Sequence, residues 1–328
     1  MGFQIQRMRL NLQKQLPLKV GLVLGLVGSS AGMLLGALGR WIAFFDLFAH
    51  YRIFYLVCQT ICLIPLLLIW TKRIWVLFLL PLSWGVVDLV QFHLLARPGA
   101  CGPGFRVLHM NVHTSNPNKL GVIRWIQKQK PDLLNLQEID SLWAETVRSQ
   151  LPEYEPVRVQ PRSDNFGIGL WVRKGSGIRV EGQDLLHWPP ENPQIPIITA
   201  RLNWQGVSFD VLSLHTLPPV GRFNSAFHSA QIQAAQSWLQ AHGGQTLLVG
   251  DLNASRWGAQ YAKLHEGTRL HSAARGFPLQ NTWHGLGPIW AIPIDHILLQ
   301  GSWCVAEYAN GPACGSDHNP LVVYLQPI

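Results

Sequence analysis

Three apolar stretches, residues 18–38, 53–70 and 74–96, limit what the first third of this chain can become. Each is close to the ~20 residues that a helix needs to cross about 30 Å of hydrocarbon, so three transmembrane helices are expected there. The first stretch carries Gly21, Gly25, Gly28, Gly32 and Gly36, a small-residue spacing suited to close helix packing. Pro65 and Pro81 would bend the other two, which helices in a membrane tolerate. Composition points the same way. Charged residues make up 13% of the 328, about half the usual share, and the deficit lies before residue 104.

The net charge of +8 is as uneven as the hydropathy. Before residue 104, nine lysines and arginines face only Asp46 and Asp88, which leaves the remainder of the chain close to neutral. Such an excess is a membrane signature and weak evidence for a nucleic-acid-binding surface. Arg7, Arg9, Lys14 and Lys19 lead into the first stretch, and Lys72 and Arg73 join the second to the third. Both regions are expected on the cytoplasmic side, with everything after residue 96 outside. If the first stretch is instead a signal peptide cut after Ala37-Leu38-Gly39, the final domain keeps the same side.

Cys58 and Cys62 read as small apolar residues of the second stretch, and Cys101 lacks the upstream leucine of a lipidation site. Cys304 and Cys314 fall in the exported domain, where a disulfide is chemically permitted. Their pairing is left open, because sequence does not give the distance between them.

The run ARPGACGPG, residues 96–104, marks a boundary. It divides the chain into a membrane domain over 1–98, a linker over 99–104 and a globular domain over 105–328, large enough for one substantial core. In that domain FRVLHMNV (105–112) reads as a strand. Residues 118–130 show helical spacing at Leu120, Ile123 and Ile126, and DLLNLQEID (132–140) reads as a buried strand. Further strands are read at 168–172, 197–202 and 207–214, a long helix at 223–240, and more strands at 246–251, 294–299 and after His318. This alternation predicts an α/β architecture.

TLLVGDLNAS (246–255) is the most informative of these segments. Apolar residues bury a strand, and Asp251 and Asn253 then share one side of the chain where it opens into a loop. Taken alone, the pair is equally what a turn uses. The pattern recurs, however. Asn111, Glu138, His215, Asp251 with Asn253, Asp295, and Asp317 with His318 all stand at strand ends, and these residue types bind hard cations and move protons.

In order, HMNVHTSN, LLNLQEID, LSLHTLPP, VGDLNAS, IDHIL and GSDHNPLV resemble the motif set of the endonuclease/exonuclease/phosphatase superfamily, over residues 105–325. The layout and the wording of the first and fifth motifs resemble its membrane-anchored bacterial members. The resemblance implies a four-layer sandwich of two mixed β-sheets flanked by helices, and hydrolysis of phosphoester bonds with Mg2+, or Mn2+ in its place. It also implies residence in a bacterial inner membrane, and with the apolar stretches and the sidedness read from the basic residues the expectation is a multi-pass protein with the catalytic domain extracytoplasmic.

By the same resemblance Glu138 is the principal metal ligand, with Asn111 and Asp317 completing or supporting the site. Asp251 orients or deprotonates water, and Asn253 bonds a phosphate oxygen. His318, held by Asp295, binds or protonates the phosphoryl group, and His215 stabilises the transition state or serves as the acid. Asp164 is the candidate carboxylate partner of His215. His113 and His296 read as bystanders, and Arg222 and Arg256 as candidate phosphate contacts. Three functions stay open: a phosphodiesterase acting on nucleic acid, a lipid-headgroup phosphodiesterase or phosphatase, and an inert membrane-bound binding module. Trp257, Trp283 and Trp290 could enter a lipid interface or stack on a base.

Overall fold

The structure is a computed structural model that describes residues 2–69, 73–95, 99–188 and 194–328. Trp70, Thr71, Lys72 and residues 96–98, where the run ARPGACGPG begins, lie outside the described residues. Two compact units are present, Met1–Gln91 and Phe92–Ile328.

The first unit contains helices α1 (Gly2–Ala37), α2 (Asp46–Ala49) and α3 (Arg52–Ile69), and most of α4 (Leu79–His93). Two helical segments, Leu16–Arg40 and Arg73–His93, are long and apolar enough to cross a membrane. The second stretch read from sequence is less simple. Residues 43–49 and 52–68 form a pair bent by 59°, which counts as a third candidate only if the pair is one span. The glycines of α1 divide into two sets. An added Cβ at Gly25 would strike Cys62 and one at Gly32 would strike the ring of Tyr55, whereas Gly21 and Gly28 have open space. Close approach of α1 to α3 therefore uses part of the stripe. Buried Gln59 donates from Nε2 to Ser30 Oγ at 3.2 Å, a polar link of the kind that joins apolar helices.

Among its described residues the second unit contains twelve strands and, beyond the end of α4, four further α-helices. The strands are β1 (Phe105–Asn111), β2 (Leu133–Gln137), β3 (Tyr154–Gln160), β4 (Ile168–Arg173), β5 (Ile178–Trp188), β6 (Ile195–Trp204), β7 (Val207–Ser213), β8 (Thr246–Asp251), β9 (His271–Ser272), β10 (Asp295–Gln300), β11 (Trp303–Asn310) and β12 (Leu321–Pro327). The helices are α5 (Lys119–Gln129), α6 (Ser141–Gln150), α7 (Gly221–Ala241) and α8 (Ala259–His265). One six-stranded sheet has the order β11-β12-β1-β2-β4-β3, the other β5-β6-β7-β8-β10-β9.

Each sheet holds one parallel pair, β1 with β2 and β7 with β8; the remaining long pairings are antiparallel. Each parallel pair is joined by a helix, α5 or α7, as parallel neighbours require. Phe105, Val107, Leu133, Phe209, Val211, Leu247, Val249, Ile297 and Leu299 meet between the sheets. The opposite strand faces pack on helices: Leu108, Met110, Leu134 and Leu136 with Ile123, Ile126 and Trp143, and Leu212, Leu248 and Leu298 with Ile232, Leu239 and Leu264. The result is the helix, sheet, sheet, helix sandwich that the family resemblance implied.

The cysteines depart from the sequence reading. Cys304 is bonded to Cys101 in the linker, 203 positions away, and Cys314 is free. Sequence separation carries no sign that the linker at Cys101 runs beside β11.

Candidate active site

Side chains alternate between the faces of a strand, so the inner face of β1 reads Phe105, Val107, His109, Asn111, and that of β2 reads Leu133, Asn135, Gln137. On the other sheet, Phe209, Val211, Ser213 and Leu247, Val249, Asp251 run the same way. The inter-sheet layer is therefore apolar at one end of these strands and polar at the other. Parallel pairing places Asn111 opposite Gln137. Antiparallel pairing sets the first residue of β10, Asp295, opposite the last of β8, Asp251. Residues over 180 positions apart thus meet at one rim.

The turns that leave the strands are strained. His113, Glu138 and Asn253 have φ of 59°, 61° and 44°, a left-handed conformation uncommon outside glycine, and each lies one or two residues beyond β1, β2 or β8. Gly250 has φ 153°, and a Cβ there would collide with the Leu214 carbonyl. That close approach lets Gln137 bridge the sheets, accepting from the Asp251 amide at 2.9 Å and donating to Leu214 O at 3.0 Å.

Asn111 is the hinge of the cluster. Its Nδ2 donates to Glu138 Oε1 at 2.9 Å and to Asp251 Oδ2 at 3.2 Å. Behind it lies a fully buried chain. His318 Nδ1 is 2.8 Å from Asp295 Oδ2, and His109 Nε2 is 2.8 Å from Asp295 Oδ1. His109 Nδ1 is in turn 2.8 Å from Asn135 Oδ1, whose amide nitrogen donates to Gly169 O and Ser213 Oγ. Both oxygens of Asp295 are consumed by imidazoles, which fix its rotamer.

His109 and Asn135 escaped the sequence reading. The signal that could have found them is period two: they share the inner faces with Asn111 and Gln137, where an apolar residue would otherwise continue the core.

Electrostatics follows burial. Burial opposes the charged form of Asp295, but His318 and the hydrogen bonds from His109 and His318 hold its carboxyl well below the ordinary range. Desolvation, and then repulsion from Asp295, pushes Asp251 up to about 8. Burial works against the His318 imidazolium, yet Asp295 and Asp251 raise it to about 10. His215 goes the other way, driven by burial and by His318 down to about 3, which keeps it neutral. Burial also raises Glu138, against a lowering contribution from Asn111.

His215 Nε2 and His318 Nε2 stand 3.6 and 3.7 Å from Asp251 Oδ2. Asp164 is not the partner of His215. It is engaged by Arg162 Nε at 2.8 Å, while the buried Nδ1 of His215 has no hydrogen-bond partner among the described residues and its ring lies 5.0 Å from that of Phe166. Asn253 donates from Nδ2 to Thr216 O at 2.8 Å, and its backbone amide donates to Asp251 Oδ1 at 2.9 Å. Asp317 accepts from Trp283 Nε1 at 3.0 Å, so this tryptophan belongs to the site. His113, read from sequence as a bystander, has Nδ1 within 3.6 Å of Glu138 and 3.7 Å of Asp317. His296 points away, its Nε2 2.7 Å from Ala254 O.

Asp251, Asp295 and His318 present ligand atoms within 4.8 Å of one another, a grouping compatible with a metal ion. Both Asp295 oxygens are, however, already bonded by His109 and His318, so the trio is better described as a hydrogen-bonded network. The oxygen donors at the mouth, Glu138 and Asp317, are less encumbered.

The fold and this cluster define a two-sheet α/β protein with carboxylates, imidazoles and amides gathered at one rim. The sequence pattern of the endonuclease/exonuclease/phosphatase family matches residues 108–318, and the chain belongs to that family of phosphoester hydrolases. No curated relative matches the chain. Among solved structures, D. rerio TDP2 complexed with single-strand DNA product is similar at 14% identity and TM-score 0.59, covering 69% of this chain and 100% of that one. The human Nocturnin catalytic domain with bound sulfate is similar at 19% identity and TM-score 0.56, covering 71% and 97%. The mannosyl-6-phosphatase of Bacteroides thetaiotaomicron is similar at 16% identity and TM-score 0.56, covering 68% and 99%. At such identities these likenesses speak for the fold.

Proposed function

We propose that this protein is a divalent-metal-dependent phosphoesterase that hydrolyses phosphodiester bonds, in nucleic acid or another phosphodiester. One observation carries the reading: Asn111 joins Glu138 to Asp251, and Asp251 stands 3.7 Å from a histidine held by Asp295. A cation ligand, a carboxylate base and a phosphoryl-binding imidazolium are thereby within reach of one phosphorus atom.

The residues fit a cation. Glu138 is a largely desolvated carboxylate whose charged form burial disfavours, so it gains from a positive partner. Glu138, with Asn111 and Asp317 completing or supporting it, offers hard oxygen donors suited to Mg2+, or to Mn2+ in its place. Bound there, the ion would supply charge neutralisation and polarisation of the phosphoryl group.

The protein's own groups do the rest. Asp251, lifted to about 8, is matched to taking a proton from attacking water near neutral pH. The Asn253 amide has a second hydrogen for a phosphoryl oxygen. His318, kept cationic by Asp295, binds or protonates the phosphoryl group, and neutral His215 donates an N–H to charge developing in the transition state.

The protein is placed by this reading in the inner membrane of a bacterium, multi-pass, with the catalytic domain extracytoplasmic. Supporting it are the apolar helices, the basic residues beside them and the Cys101–Cys304 disulfide, a bond that persists in oxidising compartments. A second substrate class, the lipid headgroup, is favoured by exposed Val220 and Phe223 after His215, and by exposed Leu286, Ile289 and Trp290 ahead of Asp295.

The test is product release by the detergent-solubilised full-length chain from plasmid DNA, a phospholipid and a chromogenic phosphodiester, with and without Mg2+. Mg2+-dependent turnover of at least one substrate is expected. No turnover of any of them would leave only the inert binding module. A reporter active only outside the cytoplasm, fused after Ile328, should be active; silence reverses the orientation.

A further inference from the structure

The imidazole of His113 has no part in the chemistry above, yet the chain goes to some lengths to place it. Its backbone is left-handed, with φ 59°. Three hydrogen bonds hold it there: its amide donates to Asn111 Oδ1 at 3.1 Å, and its carbonyl accepts from Asn116 N at 2.9 Å and from Trp143 Nε1 at 3.3 Å. The ring is thereby turned between Glu138 and Asp317.

Three side chains around this point share one arrangement. Glu138 has Oε1 bonded by Asn111 at 2.9 Å, Asp317 has Oδ2 bonded by Trp283 at 3.0 Å, and His113 has Nε2 2.8 Å from Ser115 Oγ. In each, one polar atom is held by a neighbour and the other is left facing its companions. The facing atoms are Oε2, Oδ1 and Nδ1. Nδ1 lies 3.6 Å from Oε2 and 3.7 Å from Oδ1, and the Thr114 amide approaches Oε2 only to 3.4 Å.

Those two separations are longer than a hydrogen bond. They fall inside the range, from about 3.0 Å at a right angle to about 4.2 Å across the ion, that separates two donors each about 2.1 Å from it. Histidines that ligate metals are oriented through their other ring nitrogen, which is the part Ser115 plays here when it accepts from Nε2–H.

We propose that His113 is a nitrogen ligand of the divalent cation, alongside Glu138 and Asp317. The inference rests on the metal-dependent reading of this site and sharpens it. One imidazole among carboxylates shifts preference from Mg2+ toward first-row transition ions such as Mn2+, because Mg2+ is selective for oxygen and the transition ions accept nitrogen.

Mn2+ is the probe that tests it. Full-length protein, detergent-solubilised and carrying 15N-labelled histidine, is titrated with Mn2+ and read by pulsed electron paramagnetic resonance. A histidine-nitrogen coupling is expected in the wild type and its loss in His113→Asn, a residue that tolerates the left-handed backbone. His113→Gln serves as a second variant. The ratio of Mg2+ to Mn2+ dissociation constants should fall about tenfold in either variant. Mn2+ bound without nitrogen coupling, or with a coupling that survives in the variants, overturns the His113 assignment and leaves the metal reading intact. No Mn2+ binding by the wild type overturns both.

Discussion

The two halves of the site are built on opposite terms. At the mouth, the side chains of Glu138, His113 and Asp317 keep 14%, 38% and 37% of their surface exposed. Behind them, those of Asp251, Asp295, His318 and His215 keep 5% or less. The buried half satisfies its charges internally, because an unpaired ion there would be prohibitive. The open half leaves a carboxylate undercompensated, which suits a group that receives its counter-charge from solvent. Preorganisation and recruitment are thus separated by one side chain, Asn111, which bonds both.

This contrast can be broken most sharply at Asp295. Asp295→Asn should lower turnover about 10³-fold or more, and by disrupting a buried pair it should cost roughly 3–5 kcal/mol of stability in denaturant unfolding. Glu138→Gln is the counterpart in the open half. Turnover should fall about 10²–10³-fold while the stability of the metal-free protein is unchanged or raised, since a desolvated charge is removed. A loss of stability matching that of Asp295→Asn would erase the distinction between the halves.

Smaller effects sharpen it. His109→Leu strands an oxygen of Asp295 and one of Asn135, at a cost of about 2–3 kcal/mol. His109→Gln, which retains a donor, should recover much of that and most of the turnover. The smallest effect is in pH. His228 supports the loop after β8 through Nε2, 2.9 Å from Leu252 O, and burial lowers it to about 4. A lowered histidine contributes stability that is complete above its unfolded value of about 6.5. That contribution is lost as pH falls toward 4, at up to about 1.4 kcal/mol per unit. His228→Gln should therefore be less acid-sensitive than the wild type when unfolding midpoints at pH 7 and pH 5 are compared.

The sequence was legible where strands are covered on both faces. The eight interior strands described, β12, β1, β2 and β4 in one sheet and β6, β7, β8 and β10 in the other, appear as apolar runs or, for β7, as a run of period two. The four edge strands, β3, β5, β9 and β11, were not read. The exposure of β5 shows why: most of its residues are partly or fully in solvent, so burial imposes no pattern on them. The same logic separates the site residues. Polar groups that follow an apolar run, such as Asp251 after Val249, announce themselves, whereas His109 and Asn135 sit inside strands and resemble interruptions.

What the sequence alone determined is the partition into an apolar first part and an α/β domain, and the polar identity of the strand ends. Tertiary structure decided which of those ends meet: the registers of β1 with β2 and of β8 with β10, and the left-handed turns at His113, Glu138 and Asn253 that aim side chains inward. It also chose Cys101 over Cys314 for Cys304, and Arg162 over His215 for Asp164. Hydropathy is a local property and is written residue by residue. Distances of 3 Å between groups a hundred or more positions apart depend on how two sheets stack, and no single segment encodes that.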